Sequence, residues 1–240
     1  MSAATTTSAR NYRGTETDGR SPEELRELVS HWGAELELAP AELIIEWAVA
    51  TFGERFCVTS SMGDAVLADL ASKVAPGVDV VFLDTGYHFA ETIGTRDAIA
   101  SVYDVTVLTI TNDLPDDRLY ERDVDACCQA RKVDPLDAAL APYLAWGSGV
   151  RRDESPSRAA TPVVGWDAKR SKVKVNPIAA WTQADVDAYV AEHGVLVNPL
   201  LTDGYLSIGC APCTRRVAPG EDPRSGRWAG TGKTECGLHV

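Results

Sequence analysis

Three apolar runs separated by helix-forming stretches occupy residues 55–111 and restrict the fold more than any other feature of the chain. RFCVTS, VDVVFLD and DVTVLTI are rich in β-branched and aromatic residues, and DAVLADLASKV and HFAETIGTRDAIASVY between them have helical spacing. Continuously apolar strands alternating with helices predict an α/β fold, a parallel sheet with helices on both faces. Upstream, SPEELRELVSHW reads as a helix capped by Ser21, with Pro22 at its first position and Glu24 completing a capping box. AELIIEWAVATF is a second helix ending at Gly53. After about residue 115 the pattern becomes loop-rich, apart from an amphipathic helix capped by Thr182. From Asn198 onward Gly, Pro, Arg and Cys predominate, a composition that orders only around a metal or ligand. The expected organisation is a disordered leader (1–20), one α/β nucleotide-binding domain (21–200) carrying the first cysteine pair, and a C-terminal segment (201–240). That segment carries the second pair and a mobile tail.

Five of the six cysteines are grouped. Cys127 and Cys128 are adjacent in DACCQARK, Cys210 and Cys213 form CAPC, and Cys236 lies in the terminal TECGLHV. Two short-spaced pairs supply four thiolates, the ligand set of zinc or an iron–sulfur cluster. Adjacent cysteines suit a compact zinc site poorly, because paired zinc ligands usually leave two to four residues between them. A larger cubane lets neighbours reach different irons, so one [4Fe–4S] cluster is the favoured cofactor. Two disulfides or inert core thiols are the plain alternative. Adjacent cysteines rarely bridge without strain, and the N-terminus lacks the apolar core of a signal peptide. Cys57, inside RFCVTS, reads as a core residue, and His31, His88 and His193 show no ligand spacing.

The chain is 45% hydrophobic with a net charge of -12, which argues against general nucleic-acid or anionic-membrane binding. No apolar run approaches a membrane span, and the expected location is cytoplasmic. A homo-oligomer is compatible with this composition. Against the acidic body, residues 151–175 hold seven basic side chains and three acidic ones, and the tail adds Arg215, Arg216, Arg224, Arg227 and Lys233. A basic island of that size suits a small anionic ligand, or is simply a solvated surface run.

Ligands of parallel α/β sheets bind beyond the carboxyl ends of the strands. The first strand ends in TSSMGDAV, where Ser60, Ser61 and Gly63 lead into a helix whose backbone N–H groups are placed to hold a phosphate. The second ends in LDTGYHF, with Asp84 and Thr85 just past the strand. Each is also what an ordinary turn looks like.

LDTGYHFAET, CCQARKVDPL, GVRRDESPSR, GYLSIGCAPCTRR and the terminal KTECGLH together resemble the iron–sulfur adenylyl-sulfate (APS) reductases of the phosphoadenylyl-sulfate reductase family, from about residue 40 to the C-terminus. The resemblance implies an adenine-nucleotide α-hydrolase-like (PP-loop) fold. It also implies reduction of APS to sulfite and AMP through an S-sulfocysteine, with thioredoxin or a similar dithiol protein as reductant. By position it makes Cys236 the nucleophile and gives the cluster to Cys127, Cys128, Cys210 and Cys213. It puts Lys132 beside cluster and substrate, Ser60 in a modified pyrophosphate loop, and Arg151 or Arg152, Arg224, Arg227 and His239 around the anion. His239, or a nearby cation, is expected to lower the pKa of Cys236. TSSMGDAV departs from the full SGGxDS loop of ATP-cleaving relatives, which speaks against ATP pyrophosphatase chemistry. An ATP-using sulfur transferase and a non-catalytic four-cysteine metal protein are the competing readings.

Overall fold

The computed structural model describes residues 19–112, 114–231 and 233–239. The expected leader lies outside the described residues except for Gly19 and Arg20. Arg20 donates from Nη1 to the Thr51 carbonyl at 3.0 Å.

Helix α1 (Pro22–Glu35) starts at Ser21 with both capping-box hydrogen bonds formed, and α2 (Ala41–Phe52) stops at Gly53, whose φ of 53° lies in the left-handed region. Strand β1 (Phe56–Thr59), helix α3 (Val66–Val74), strand β2 (Val78–Asp84), helix α4 (Ala90–Val102) and strand β3 (Val105–Thr111) follow the expected alternation. Next come three short helices, α5 (Leu119–Arg122), α6 (Val124–Cys128) and α7 (Asp134–Ala139), with a π-helical stretch Gln129–Val133 joining the last two. Strands β4 (Ala145–Gly147), β5 (Val164–Asp167) and β6 (Lys172–Val175) and helix α8 (Gln183–His193) complete the regular structure. Thr182 caps α8 with a second capping box.

The six strands are ordered β3-β2-β1-β4-β6-β5. All neighbouring pairs are parallel except β5–β6, so β5 is an antiparallel edge. From β1 the chain steps outward to β2 and β3 through α3 and α4, then returns to place β4 on the other side of β1. The strand order therefore reverses between β1 and β4, the crevice where such sheets take their ligands.

Strand alternation builds two cores. Phe56, Val58, Val80 and Phe82 point to one face, packed with Leu25, Ile45, Leu70, Ile99 and Val186 from α1–α4 and α8. Cys57, Val81 and Trp146 point to the other, against Leu136, Leu140 and Tyr143, with Leu238 of the tail beside them. Helices on both faces are thus observed, and Cys57 is a buried core residue as expected. Strands β4–β6 fall where loops were expected. AWG is only three residues long, and KVKV hides its pattern behind lysines although Val173 and Val175 are fully buried. Among the described residues no helix is long and apolar enough to cross a membrane.

Candidate active site

The β1/β4 crevice opens into a cleft of about 770 Å³. On its floor, the Ser60 hydroxyl accepts from the Met62 N–H at 3.1 Å, bending the chain so that Met62 takes a φ of 60°. A left-handed non-glycine residue costs roughly 1–2 kcal/mol. The turn is held by Asn198, whose Nδ2 donates to the Met62 carbonyl at 3.0 Å. Because the Ser60 oxygen accepts within the turn, its own proton remains to donate into the cleft. His88 also lines the cleft. Its Nε2 lies 2.9 Å from the Leu83 carbonyl, its Nδ1 is buried with no partner among the described residues, and burial holds its pKa below the usual histidine value.

The opposite wall is cationic, with Lys132, Arg158, Arg224 and Arg227 around Cys236. Arg227 Nη1 donates to the Ile208 carbonyl at 3.0 Å, while its Nε is buried with no partner among the described residues. Its guanidinium lies against Gly209, where a Cβ would come within 2.4 Å of Nη2, so a larger residue there would displace the guanidinium. Burial lowers its pKa, with Arg224 adding to the effect. At Lys132 burial works against the charge, but the thiols of Cys210, Cys236 and Cys128 outweigh it and the pKa rises. Cationic side chains with buried, unpaired donors are costly unless an anion joins them.

Cys236 is half-buried and carried by a docked tail. The Glu235 carboxylate takes two hydrogen bonds from Arg158 (Nε to Oε1 2.9 Å, Nη2 to Oε2 2.8 Å), and Arg224 Nη2 lies 3.2 Å from Oε2. Burial would raise the Glu235 pKa, but Arg158 and Arg224 overcome it and hold it low. Beyond Cys236, Gly237 turns the chain at a φ of 81°, and the Leu238 carbonyl accepts from Arg170 Nη1 at 3.2 Å. His239 stacks on Trp146 with centroids 5.9 Å apart.

A smaller cavity next to the cleft is lined by Cys127, Cys128, Cys210 and Cys213 with Tyr87, Tyr120, Arg131, Lys132 and Trp228. Secondary structure brings the two pairs together. Ala211 N–H donates to the Tyr87 carbonyl at 2.7 Å, and Thr85 Oγ1 lies 3.3 Å from Cys210 Sγ. The π-helical stretch turns Arg131 inward, where it donates to the carbonyls of Thr85 (3.1 Å) and Pro115 and covers the Tyr87 ring. Burial and the neighbouring Cys210 push the Cys213 thiol up to about 11. Cys127 and Cys128 are raised too, chiefly by burial. Among the described residues no three His, Cys, Asp or Glu side chains converge tightly enough to hold a single metal ion.

The model of the phosphoadenosine phosphosulfate reductase domain matches residues 55–216. The chain belongs to this family. Among its relatives, the adenosine 5'-phosphosulfate reductase of Streptomyces coelicolor is 64% identical over 92% of this chain and 97% of that protein. The reductase of the same name from Mycolicibacterium smegmatis is 55% identical over 90% and 95%. A crystal structure of phosphoadenylyl-sulfate reductase from Candida auris, a phosphate complex, superposes with a TM-score of 0.69 at 29% identity, covering 79% of this chain and 97% of that one. FMN adenylyltransferase of Candida glabrata shares the fold alone (TM-score 0.54, 11% identity, 80% and 74% covered). The fold is the expected adenine-nucleotide α-hydrolase-like one.

Within this member of the phosphosulfate reductase family, Ser60, Lys132, Arg151, Arg224, Arg227, Cys236 and His239 all line one cleft. Three expected residues do not. Arg152 turns away to Glu37 (2.6 Å) and the Thr161 carbonyl. Asp84 accepts from the Gly86 N–H within its own turn, and Thr85 faces Cys210. Burial, together with Lys174, Arg158, Arg170 and Arg224, holds the His239 pKa well below the usual histidine value and disfavours its charged form. Arg158 and Glu235 were visible in GVRRDESPSR and TECGLHV, but nothing in the sequence signals that they pair. Arg131, one residue from Lys132, was masked because helical periodicity does not anticipate a π-helical turn.

Proposed function

We propose that this chain reduces adenosine 5'-phosphosulfate to sulfite and AMP, with thioredoxin or a similar dithiol protein as reductant, in cytoplasmic sulfate assimilation. The names of the 64% and 55% identical relatives support this reading. The observation that carries it is the Cys236 thiol docked in a cleft among Lys132, Arg224 and Arg227. The sulfur of a phosphosulfate is ringed by negative oxygens, so an approaching thiolate meets like charge. At an effective dielectric of about 20, a cation ~4 Å away contributes about 4 kcal/mol of gross attraction. The Cys236 sulfur bonds to the sulfate sulfur, and the bond to the bridging oxygen breaks with its electron pair leaving on AMP. One thiol of the dithiol then attacks Cys236 Sγ and displaces sulfite. The second thiol resolves the mixed disulfide, so the dithiol is oxidised to a disulfide and Cys236 is regenerated.

Ser60 and the backbone of its turn, with Arg151, are suited to the nucleotide side of the substrate. Lys132, Arg224 and Arg227 are suited to the sulfate side. Asp84 and Thr85 would act from behind, Thr85 by steadying Cys210.

The four paired cysteines fit a [4Fe–4S] cluster better than a single ion. They share one cavity without converging on a point, and burial and mutual repulsion oppose ionisation of Cys127, Cys128 and Cys213 until cations arrive. When bound, the cluster would supply a fixed charge that ties the 127–132 and 210–213 loops together beside Lys132. The test is incubation of the protein with APS and no reductant. One sulfonate should appear, on the peptide ending ECGLHV, and thioredoxin should remove it as sulfite. A sulfonate on any paired cysteine, or pyrophosphate released from ATP instead, would overturn the proposal.

A further inference from the structure

Resting on that reading, we infer that Glu235 is a positioning residue. Its carboxylate, clamped by Arg158 and Arg224, fixes where the neighbouring Cys236 enters the cleft.

Among the described residues of the tail, Lys233, Thr234, Glu235 and Leu238 carry polar anchors of unequal weight. Lys233 pairs with Asp125, whose side chain is 78% exposed, so solvent screens that contact. The Leu238 carbonyl receives one hydrogen bond from Arg170. Glu235 alone takes a two-pronged hydrogen bond from an arginine, with both side chains 15% exposed or less, and it shares a second arginine of the cleft wall. Two-pronged arginine–carboxylate pairs fix direction as well as distance. Ser157 Oγ adds a donor at 3.2 Å to Oε1, and the Arg224 guanidinium also reaches the Thr234 carbonyl at 3.1 Å. The backbone is therefore held on the N-terminal side of Cys236, and on its C-terminal side Leu238 and His239 dock in the apolar cluster around Trp146.

Arg158 is itself held by Glu154 at 2.5 Å, on the turn that follows Arg151. The clamp thus joins the tail to the β4 end of the cleft rather than to the cysteine cavity. Holding the nucleophile near its target is worth large factors in rate, and small misplacements cost them. The tail must also open for a protein reductant, so the clamp should act on the first half-reaction and not on the second.

The test uses the cluster-loaded full chain and Glu235→Gln, which preserves shape and removes charge. The first measurement is the rate at which iodoacetamide alkylates Cys236 in the absence of nucleotide, read from the mass of the C-terminal peptide. A rise of about tenfold in the variant is expected, and equal rates would overturn the inference. The second is single-turnover sulfonation by APS, expected to fall about tenfold, while sulfite release from the isolated sulfonated variant by dithiothreitol is unchanged or faster. Faster sulfonation in the variant would make the clamp inhibitory and would also overturn the inference. Arg158→Gln should reproduce the alkylation effect, and combining the two substitutions should add nothing. Additive effects would show that the pair does not act together. If wild type alkylates slowly and the variant quickly, yet APS sulfonates neither, the clamp stands and the proposed substrate falls.

Discussion

At the scale of single residues, the cleft is a contest between burial and charge. Arg227 and Lys132 keep cations in a half-enclosed site, and the balance favours a ligand that brings negative charge. Cys236 is half-buried and, among the described residues, hydrogen-bonds to none of the paired cysteines. Cys236→Ser should therefore abolish sulfite release while leaving iron content and nucleotide affinity within about twofold of wild type. Full activity in this variant would remove Cys236 from the chemistry. His239 makes a pH prediction. Its pKa is depressed in the docked tail, so an undocked tail binds a proton that the docked one refuses. Docking is then fully stable above the ordinary histidine value of about 6.5 and weakens as pH falls below it. Hydrogen exchange in residues 233–239 should speed up between about pH 6.5 and 5, beyond the intrinsic pH dependence of exchange. His239→Phe, which keeps the ring stacked on Trp146, should flatten that excess.

At the scale of elements, the helix from Val124 to Ala139 does most to assemble the site, through its π-helical middle. One extra residue in the turn sends Arg131 into the protein beneath Tyr87 and leaves Lys132 facing both cavities. Arg131→Ala would leave the Thr85 and Pro115 carbonyls without their donor. It should lower stability by about 2–4 kcal/mol by analogy with broken buried charge networks. Denaturant midpoints measure this, and an unchanged midpoint with full iron content would contradict it. The same helix shows what could and could not be read from the chain. Strands β1–β3 were legible as unbroken apolar runs, and helices α1–α4 and α8 from their helical spacing, three of them with caps or stops at Ser21, Gly53 and Thr182. Strands β4 and β6 were not, since each is only three or four residues long and β6 alternates valine with lysines whose ammonium groups are themselves partly buried, against the Tyr143 carbonyl and the Trp146 ring. The cysteines were legible as a set because thiol spacing is rare and chemically specific. The Glu235–Arg158 pair was not, because its partners lie 77 residues apart and ion pairs leave no local pattern.

At the scale of the whole molecule, an acidic body of net charge -12 gathers Lys132, Arg158, Arg224 and Arg227 around Cys236, and Arg151 is paired with Asp153 elsewhere in the cleft. The rest of the wall carries Asp64, Asp153, Glu154 and Asp187. Burial raises the Asp64 pKa and so disfavours the charged form of that carboxyl. The asymmetry bears on substrate choice. A phosphosulfate directed at Lys132, Arg224 and Arg227 has its charge matched there. With the nucleotide lying along Ser60 and Arg151 as proposed, a further phosphate on its ribose would meet a wall with more carboxylates than cations. Repulsion of only ~2–3 kcal/mol would give about 100-fold discrimination. The paired cysteines enter at the same scale, because they tie the C-terminal segment to the turn after β2 and so set where the cationic wall stands. Loaded with the proposed cluster, about four irons and four sulfides per chain, the protein should turn over APS with a kcat/KM about 100-fold above that for the 3'-phosphorylated nucleotide. Removing iron with a chelator under oxidising conditions should abolish turnover of both and speed hydrogen exchange in residues 124–133 and 205–216 together, if the proposed single centre holds both. Equal kcat/KM values would mean that the acidic wall does not face the ribose. Exchange rising in one segment alone would mean that the two pairs do not share a metal.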